Sequence, residues 1–190
     1  FKALGGAYAE PESEVAAAVR KKARDAGCKP AWIRFDEANR RIPGDFETGN
    51  LIVRLPGTAR GRRRLFMGHM DTVPLCRGAV PVRRGRRIVS KGKTGLGGDN
   101  RTAVACLVTL AEAILKDDVP HPPLTLLFTV GEEVGLLGAR FVKKTDLGKP
   151  EMGFNIDAGP PQELITAAIG AYRWEAEVFG AASHAGVHPD

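Results

Sequence analysis

A three-layer α/β fold, with helices on both sides of a mostly parallel sheet, is predicted by three features of the 190-residue sequence. Short β-rich runs stand at residues 31–35, 50–55 and 65–68, a continuous apolar run stands at 124–130, and helical stripes alternate with these runs. Strands that alternate with helices bury a parallel sheet between helical layers.

The first stripe lies between Glu10 and Gly27, where Val15, Ala16, Ala18, Val19 and Ala23 recur at helical spacing. Pro11 suits its first turn and Gly27 its stop. Segments rich in Gly, Pro and charge separate the short runs that follow. Residues 101–115 are apolar at Ala103, Val104, Cys106, Leu107, Leu110, Ala111 and Ile114, a wide helical stripe. Residues 124–130 read as a strand buried on both faces. From Gly170 the pattern changes: Tyr172, Trp174, Ala176 and Val178 alternate with Arg173, Glu175 and Glu177, the period of a strand with one wet face. A boundary is therefore expected near 168–170, with residues 1–168 in one domain and 169–190 opening a second, α+β domain. The chain opens on Phe1 without an initiator Met and stops in the turn-like run at 186–190, so it is expected to be cut from something longer.

Composition narrows the classes. With 43% hydrophobic residues the chain can bury a core. It has no apolar run long enough to span a membrane and no apolar leader at Phe1. Cys28, Cys76 and Cys106 are odd in number and widely spaced, which suggests neither a disulfide framework nor a thiolate metal site, and a reducing cytoplasm is the default expectation. Much of the net charge of +6 sits in two clusters, Arg60, Arg62, Arg63, Arg64 and Arg83, Arg84, Arg86, Arg87. Both flank turn glycines and neither is interleaved with aromatic residues that stack on bases, so a solvated surface is expected rather than a nucleic-acid face.

Chemistry gathers where apolar runs end. Residues 65–68 lead into His69 and Asp71, 124–130 into Glu132 and Glu133, and Phe154-Asn155-Ile156 into Asp157, while Asp99 opens the 101–115 helix after a Gly-rich loop. Ligands of open α/β sheets collect at the carboxyl ends of strands, so these residues are expected to converge. A neutral imidazole binds a divalent metal through one nitrogen and needs an acceptor on the other, for which Asp71 is a candidate. Two adjacent acids repel at a buried strand end unless a cation and a water absorb their charge. Taken singly, each has a plainer reading: Glu132-Glu133 as a helix start, Asp99-Asn100 as an N-cap, Asp157 as a turn residue, His69-Met70-Asp71 as a turn. One shared cation site accounts for all of them together. Nucleotide motifs fail, because Gly92-Lys93-Thr94 has Arg87 where a P-loop needs Gly, and Gly95-Leu96-Gly97 has Asn100 where a dinucleotide fingerprint needs Gly.

The segments Gly68-His69-Met70-Asp71-Thr72-Val73-Pro74, Gly97-Gly98-Asp99-Asn100, Gly131-Glu132-Glu133-Val134-Gly135, Asn155-Ile156-Asp157 and Ser183-His184-Ala185-Gly186 resemble, in order and spacing, the M20 metallopeptidases, and within them the peptidase T-like tripeptidases. The resemblance covers about the first half of a family member. It implies a zinc-peptidase-like catalytic domain, of which residues 1–168 are the amino-terminal part, and a lid that starts at 169–190. It implies two divalent ions, zinc before cobalt or manganese. His69, Asp99 and Asp157 would hold one ion, with Asp99 bridging to a second held by Glu133. Asp71 would orient His69, Glu132 would be the general base, and His184 on the lid would reach a neighbouring active site in a homodimer. The second ion's remaining histidine would lie beyond this chain, leaving the fragment alone with little or no turnover. Short peptides are the implied substrates. N-acyl or N-carbamoyl amino acids are the chemically equivalent alternative, and a non-catalytic, metal-poor binding module is the alternative of another class.

Overall fold

The computed structural model describes residues 12–157, 159, 160, 162–170, 172, 174, 176, 177 and 179. The chain divides into two units, Phe1–Ala158 and Gly159–Asp190. The first holds, in order, helix α1 (Glu12–Asp25), strands β1 (Ile33–Phe35), β2 (Leu51–Leu55) and β3 (Arg64–His69), a hairpin of β4 (Pro81–Arg84) and β5 (Arg87–Ser90), helix α2 (Gly98–Lys116), strand β6 (Leu124–Thr129), helix α3 (Leu137–Phe141) and strand β7 (Met152–Asn155).

The expected α/β sheet flanked by helices is formed, and the sheet is mixed. Its five strands lie in the order β1-β2-β6-β3-β7. The β6-β3-β7 half is parallel, whereas β1-β2 and β2-β6 are antiparallel. The central strand β6 is buried along its whole length, as its unbroken apolar run requires. Side chains alternate across the sheet. Leu51, Val53, Leu55, Leu124, Leu126 and Phe128 join the larger core beneath Val15, Val19 and Ala23 of α1 and Val104, Leu107 and Ala111 of α2. On the opposite face Ile52, Leu65 and Leu127 pack under Leu147, with Met67 and Val142 beside them. Each fully buried aliphatic or aromatic side chain contributes about 1.5–3 kcal/mol, so the layer under the two helices carries most of the stabilisation.

One buried polar network fixes the end of β6 that leads to the site. Asn50 accepts the Val130 N–H at 3.2 Å and donates to the Gly138 carbonyl at 3.0 Å and to Asp36 at 2.8 Å. A Cβ on Gly138 would stand inside the contact distance of Asn50 Oδ1 and the Val130 carbonyl, and neither can move without breaking the network. Gly138→Ala is expected to cost about 1–3 kcal/mol, lowering the thermal midpoint by roughly 2–4 °C per kcal/mol for a chain of this size. Gly92, with nothing within 4 Å of an added Cβ, is the control: in thermal unfolding Gly92→Ala should match the wild type.

Among the described residues no helix is long and apolar enough to cross a membrane. The described residues of the second unit form no helix or strand, and Leu164, Ile165, Tyr172, Trp174 and Phe179 are exposed there. Of the strand expected from Gly170, Ala171, Arg173, Glu175 and Val178 lie outside the described residues, as does His184.

The two arginine clusters differ. Arg83, Arg84, Arg86 and Arg87 are exposed on the β4-β5 hairpin, as a solvated surface requires. In the first cluster Arg62 and Arg64 pair with Glu151, but Arg63 is half-buried and donates to the Leu124 carbonyl and, at 3.2 Å, to Thr125 Oγ1. The expected solvated face is corrected at Arg63, whose half-buried guanidinium is turned onto strand-end carbonyls.

Candidate metal centre

The three parallel strands deliver their carboxyl ends to one place. His69 closes β3 opposite Thr129, the last residue of β6, and Met67 lies opposite Asn155, the last of β7. The residues after these strands, Asp71, Glu132, Glu133 and Asp157, therefore emerge along one edge of the sheet. Asp99 reaches that edge from α2. A Cβ on Gly68 would stand 2.5 Å from Ala103 Cβ, so the glycine lets β3 and α2 approach closely. Asn100 then anchors the helix start: its Oδ1 accepts the Ala103 N–H at 3.2 Å as an N-cap, and its Nδ2 donates to the Ile156 carbonyl at 2.7 Å. The Asp99–Asn100 peptide is cis.

His69 is 2% exposed and sits at the centre of the group. Its Nδ1 lies 3.0 Å from the Asp71 backbone carbonyl and 3.4 Å from that residue's Oδ1. Its Nε2 lies 3.0 Å from Asp99 Oδ1 and 3.8 Å from Glu132 Oε2. The Asp71 carboxylate does more than face the imidazole. Its two oxygens accept the backbone N–H groups of Glu132, at 3.1 Å, and Glu133, at 3.0 Å, so one side chain ties the loop after β3 to the loop after β6.

One ligand atom each from His69, Asp99 and Glu133 lie within 4.8 Å of one another. Asp157 is exposed and stands outside this trio, with Asn155 Nδ2 3.4 Å from its Oδ2. It is still close enough for its charge to act on Glu132 and Glu133.

The site is short of positive charge. Burial raises the Glu132 carboxyl above its ordinary value and the charges of Asp157, Glu133 and Asp71 push the same way, against His69. Burial likewise raises Glu133, reinforced by Asp99. For His69 burial works downward, but the carboxylates of Asp71, Asp99 and Glu132 outweigh it and hold the imidazole up at about 9. Burial raises Asp71 too, yet His69 and the two backbone N–H groups bring it below the ordinary carboxylate range. A divalent cation fits this donor set: oxygen and imidazole donors converge, the second ring nitrogen has a fixed acceptor, and surplus negative charge is left for the ion to neutralise.

The sequence pattern pointed to every member of this group within the described residues. Asn100 was read as part of an Asp99-Asn100 N-cap, the role it takes here, but Gly68 and Arg101 were given none. Gly68 was detectable as a glycine in an apolar strand, the usual sign of close backbone approach. Arg101 is brought down to about 10 by burial, with the Asp71 charge opposing.

Residues 50–187 match the profile of peptidase family M28. The chain belongs to that family. Relatives place it within the wider zinc-peptidase superfamily. It is 30% identical to YqjE of Bacillus subtilis, described only as an uncharacterized protein, over 180 residues that make up 94% of this chain and 47% of that one. It superposes on a tripeptidase of Staphylococcus aureus with a TM-score of 0.71 and 27% identity, covering 79% of this chain and 39% of that one. Against aminopeptidase PepT of Bacillus cereus the TM-score is 0.68 and the identity 31%, with the same coverage of 79% and 39%. The chain thus spans less than half the length of these relatives. The M28 profile differs from the M20 family that the motifs resemble, and what the two share here is the zinc-peptidase catalytic fold.

Proposed function

We propose that the chain is the amino-terminal part of a two-metal hydrolase that cleaves the amide bonds of short peptides, with chemistry of the M20, peptidase T-like kind. The observation that carries this reading is the convergence of His69, Asp99 and Glu133 ligand atoms within 4.8 Å, with Glu132 beside them. Likeness to the tripeptidase and to PepT supports the choice of peptides.

In this reading His69, Asp99 and Asp157 would hold one ion, and Asp99 and Glu133, with a histidine outside this chain, would hold a second. Zinc suits mixed imidazole and carboxylate donors, with cobalt or manganese able to replace it. When bound, the ions lower the pKa of water and neutralise negative charge developing on the scissile carbonyl. Glu132 takes the proton of the attacking water and passes it to the leaving amine. Its raised carboxyl pKa brings it nearer the value at which one group can do both. Asp71 holds the His69 ring and, through two backbone N–H groups, the loop that carries Glu132 and Glu133. His184, at the start of the lid of residues 169–190, would steady the oxyanion in the partner of a cytoplasmic homodimer.

The test uses the full-length protein. Tripeptides should be hydrolysed faster than N-acetyl or N-carbamoyl amino acids, a chelator should abolish turnover, and added zinc should restore it. Preference for the acylated amino acids would move the reading to a deacylase. Chelator-insensitive hydrolysis would remove the metal mechanism altogether.

A further inference from the structure

At the opposite end of the sheet from His69, β1, the carboxyl end of β2 and the residue before β3 border a cleft of about 390 Å³ lined by Ala31, Trp32, Arg34, Arg54, Pro56 and Arg63. Its charge is not balanced. Arg34 is paired with Asp146 at 2.9 Å, and Glu151 is taken by Arg62 and Arg64. Arg63 spends Nη1 on the Leu124 and Leu55 carbonyls and Thr125 Oγ1. Half-buried Arg54 makes no hydrogen bond or ion pair among the described residues. Lys29 adds a further cation, with its Nζ 5.2 Å from the centre of the Trp32 ring.

The Arg54 and Arg63 guanidinium groups, neither in an ion pair among the described residues, pack side by side against the Gly148 backbone. The point above Gly148 where a Cβ would stand is 2.8 Å from Arg54 Nη2 and 2.9 Å from Arg63 Nε. Gly148 has a φ of 73°, a backbone conformation that favours glycine, and any side chain there would collide with both arginines. Burial lowers the Arg63 pKa below the ordinary guanidinium value and the neighbouring Arg54 charge lowers it further, so the pair is held together against its own repulsion. Neighbouring guanidinium groups that line one cleft can bind an oxyanion through charge-assisted hydrogen bonds.

We propose that this cleft is a second site, separate from the metal centre and independent of the peptidase reading, that binds a phosphate-type oxyanion through Arg54 and Arg63, with Arg34 at its rim and Trp32 as its apolar wall. The oxyanion is free phosphate or the phosphate group of a small metabolite.

Calorimetric titration of the chain in chelator-containing buffer tests it, with inorganic phosphate in one arm and glycerol phosphate in the other. Saturable binding of inorganic phosphate at one ion per chain is expected. Glycerol phosphate binding as well marks the site as open to phosphate monoesters; its failure to bind assigns the site to the free ion. Arg54→Gln should weaken phosphate at least about tenfold, the loss expected when one charge-assisted contact is removed. Arg34→Gln, at an exposed position, should weaken it by a smaller factor and serves as the second variant if Arg54→Gln alters the circular dichroism spectrum. His69→Ala should bind phosphate as the wild type does. No saturable binding, equal affinity in wild type and both arginine variants, or loss of binding in His69→Ala alone would each overturn the assignment.

Discussion

Glu132→Gln in the full-length protein is expected to lower peptide hydrolysis by about 10²–10⁴-fold, the usual contribution of a general base, while metal content stays at the wild-type level. The amide keeps the size and most of the hydrogen bonding of the carboxylate but cannot accept the proton of the attacking water. The structure gives the substitution little else to disturb. Asp71 grips Glu132 through its backbone N–H, which glutamine retains, so the loop and the neighbouring Glu133 should hold their places. Glu133→Gln is the informative contrast. Its side chain belongs to the converging trio with His69 and Asp99, so it should weaken the second ion, and part of its lost activity should return at high zinc concentration. Tripeptide hydrolysis and bound metal, measured together for both variants, separate the two roles. An active Glu132→Gln enzyme, or an inactive one stripped of metal, would mean that base and ligand have been interchanged.

The position of both residues was legible in the sequence pattern, whereas their proposed separate roles came only from the motif resemblance. A run as apolar as 124–130 has to be a buried strand, and the polar residues that follow it have to leave the sheet at its carboxyl end, so Glu132 and Glu133 were placed by hydrophobicity alone. His69 followed in the same way from the run before it. What could not be read was pairing. The sequence of β2 is compatible with either direction, and its antiparallel position between β1 and β6 depends on which neighbours offer free backbone groups. The β4-β5 hairpin escaped because charged residues at Arg83, Arg84 and Arg87 mask two short strands of which no residue is fully buried. Arg63 was invisible for the opposite reason: an arginine within a basic run looks solvated until the fold brings the Leu124 carbonyl to it. Asp71 was anticipated as a partner for His69, but its grip on two backbone N–H groups is a three-dimensional fact with no trace in spacing.

The metal itself gives the other large effect. The chain should bind about one zinc tightly and a second weakly if, as proposed, the second ion's remaining ligand is a histidine outside this chain. Removing a central ligand with His69→Ala should weaken the tight ion by roughly 10²-fold or more, given apparent binding energies of about 10–16 kcal/mol shared among the ligands of a protein zinc site. His69 is the natural place to cut, since its buried ring is the one imidazole among the carboxylates of Asp71, Asp99 and Glu132. The two acids at the edge of the group separate the sites. Asp157→Ala should weaken the tight ion, whereas Glu133→Ala should leave it and abolish the weak one. That ordering is demanding, because it is Glu133 rather than Asp157 whose oxygen lies with His69 and Asp99 in the structure. Equilibrium dialysis with metal analysis at two zinc concentrations reads both sites. If Glu133→Ala removes the tight ion and Asp157→Ala leaves it, the tight site is the trio of His69, Asp99 and Glu133, and the ligand assignment implied by the motif resemblance is wrong at Asp157.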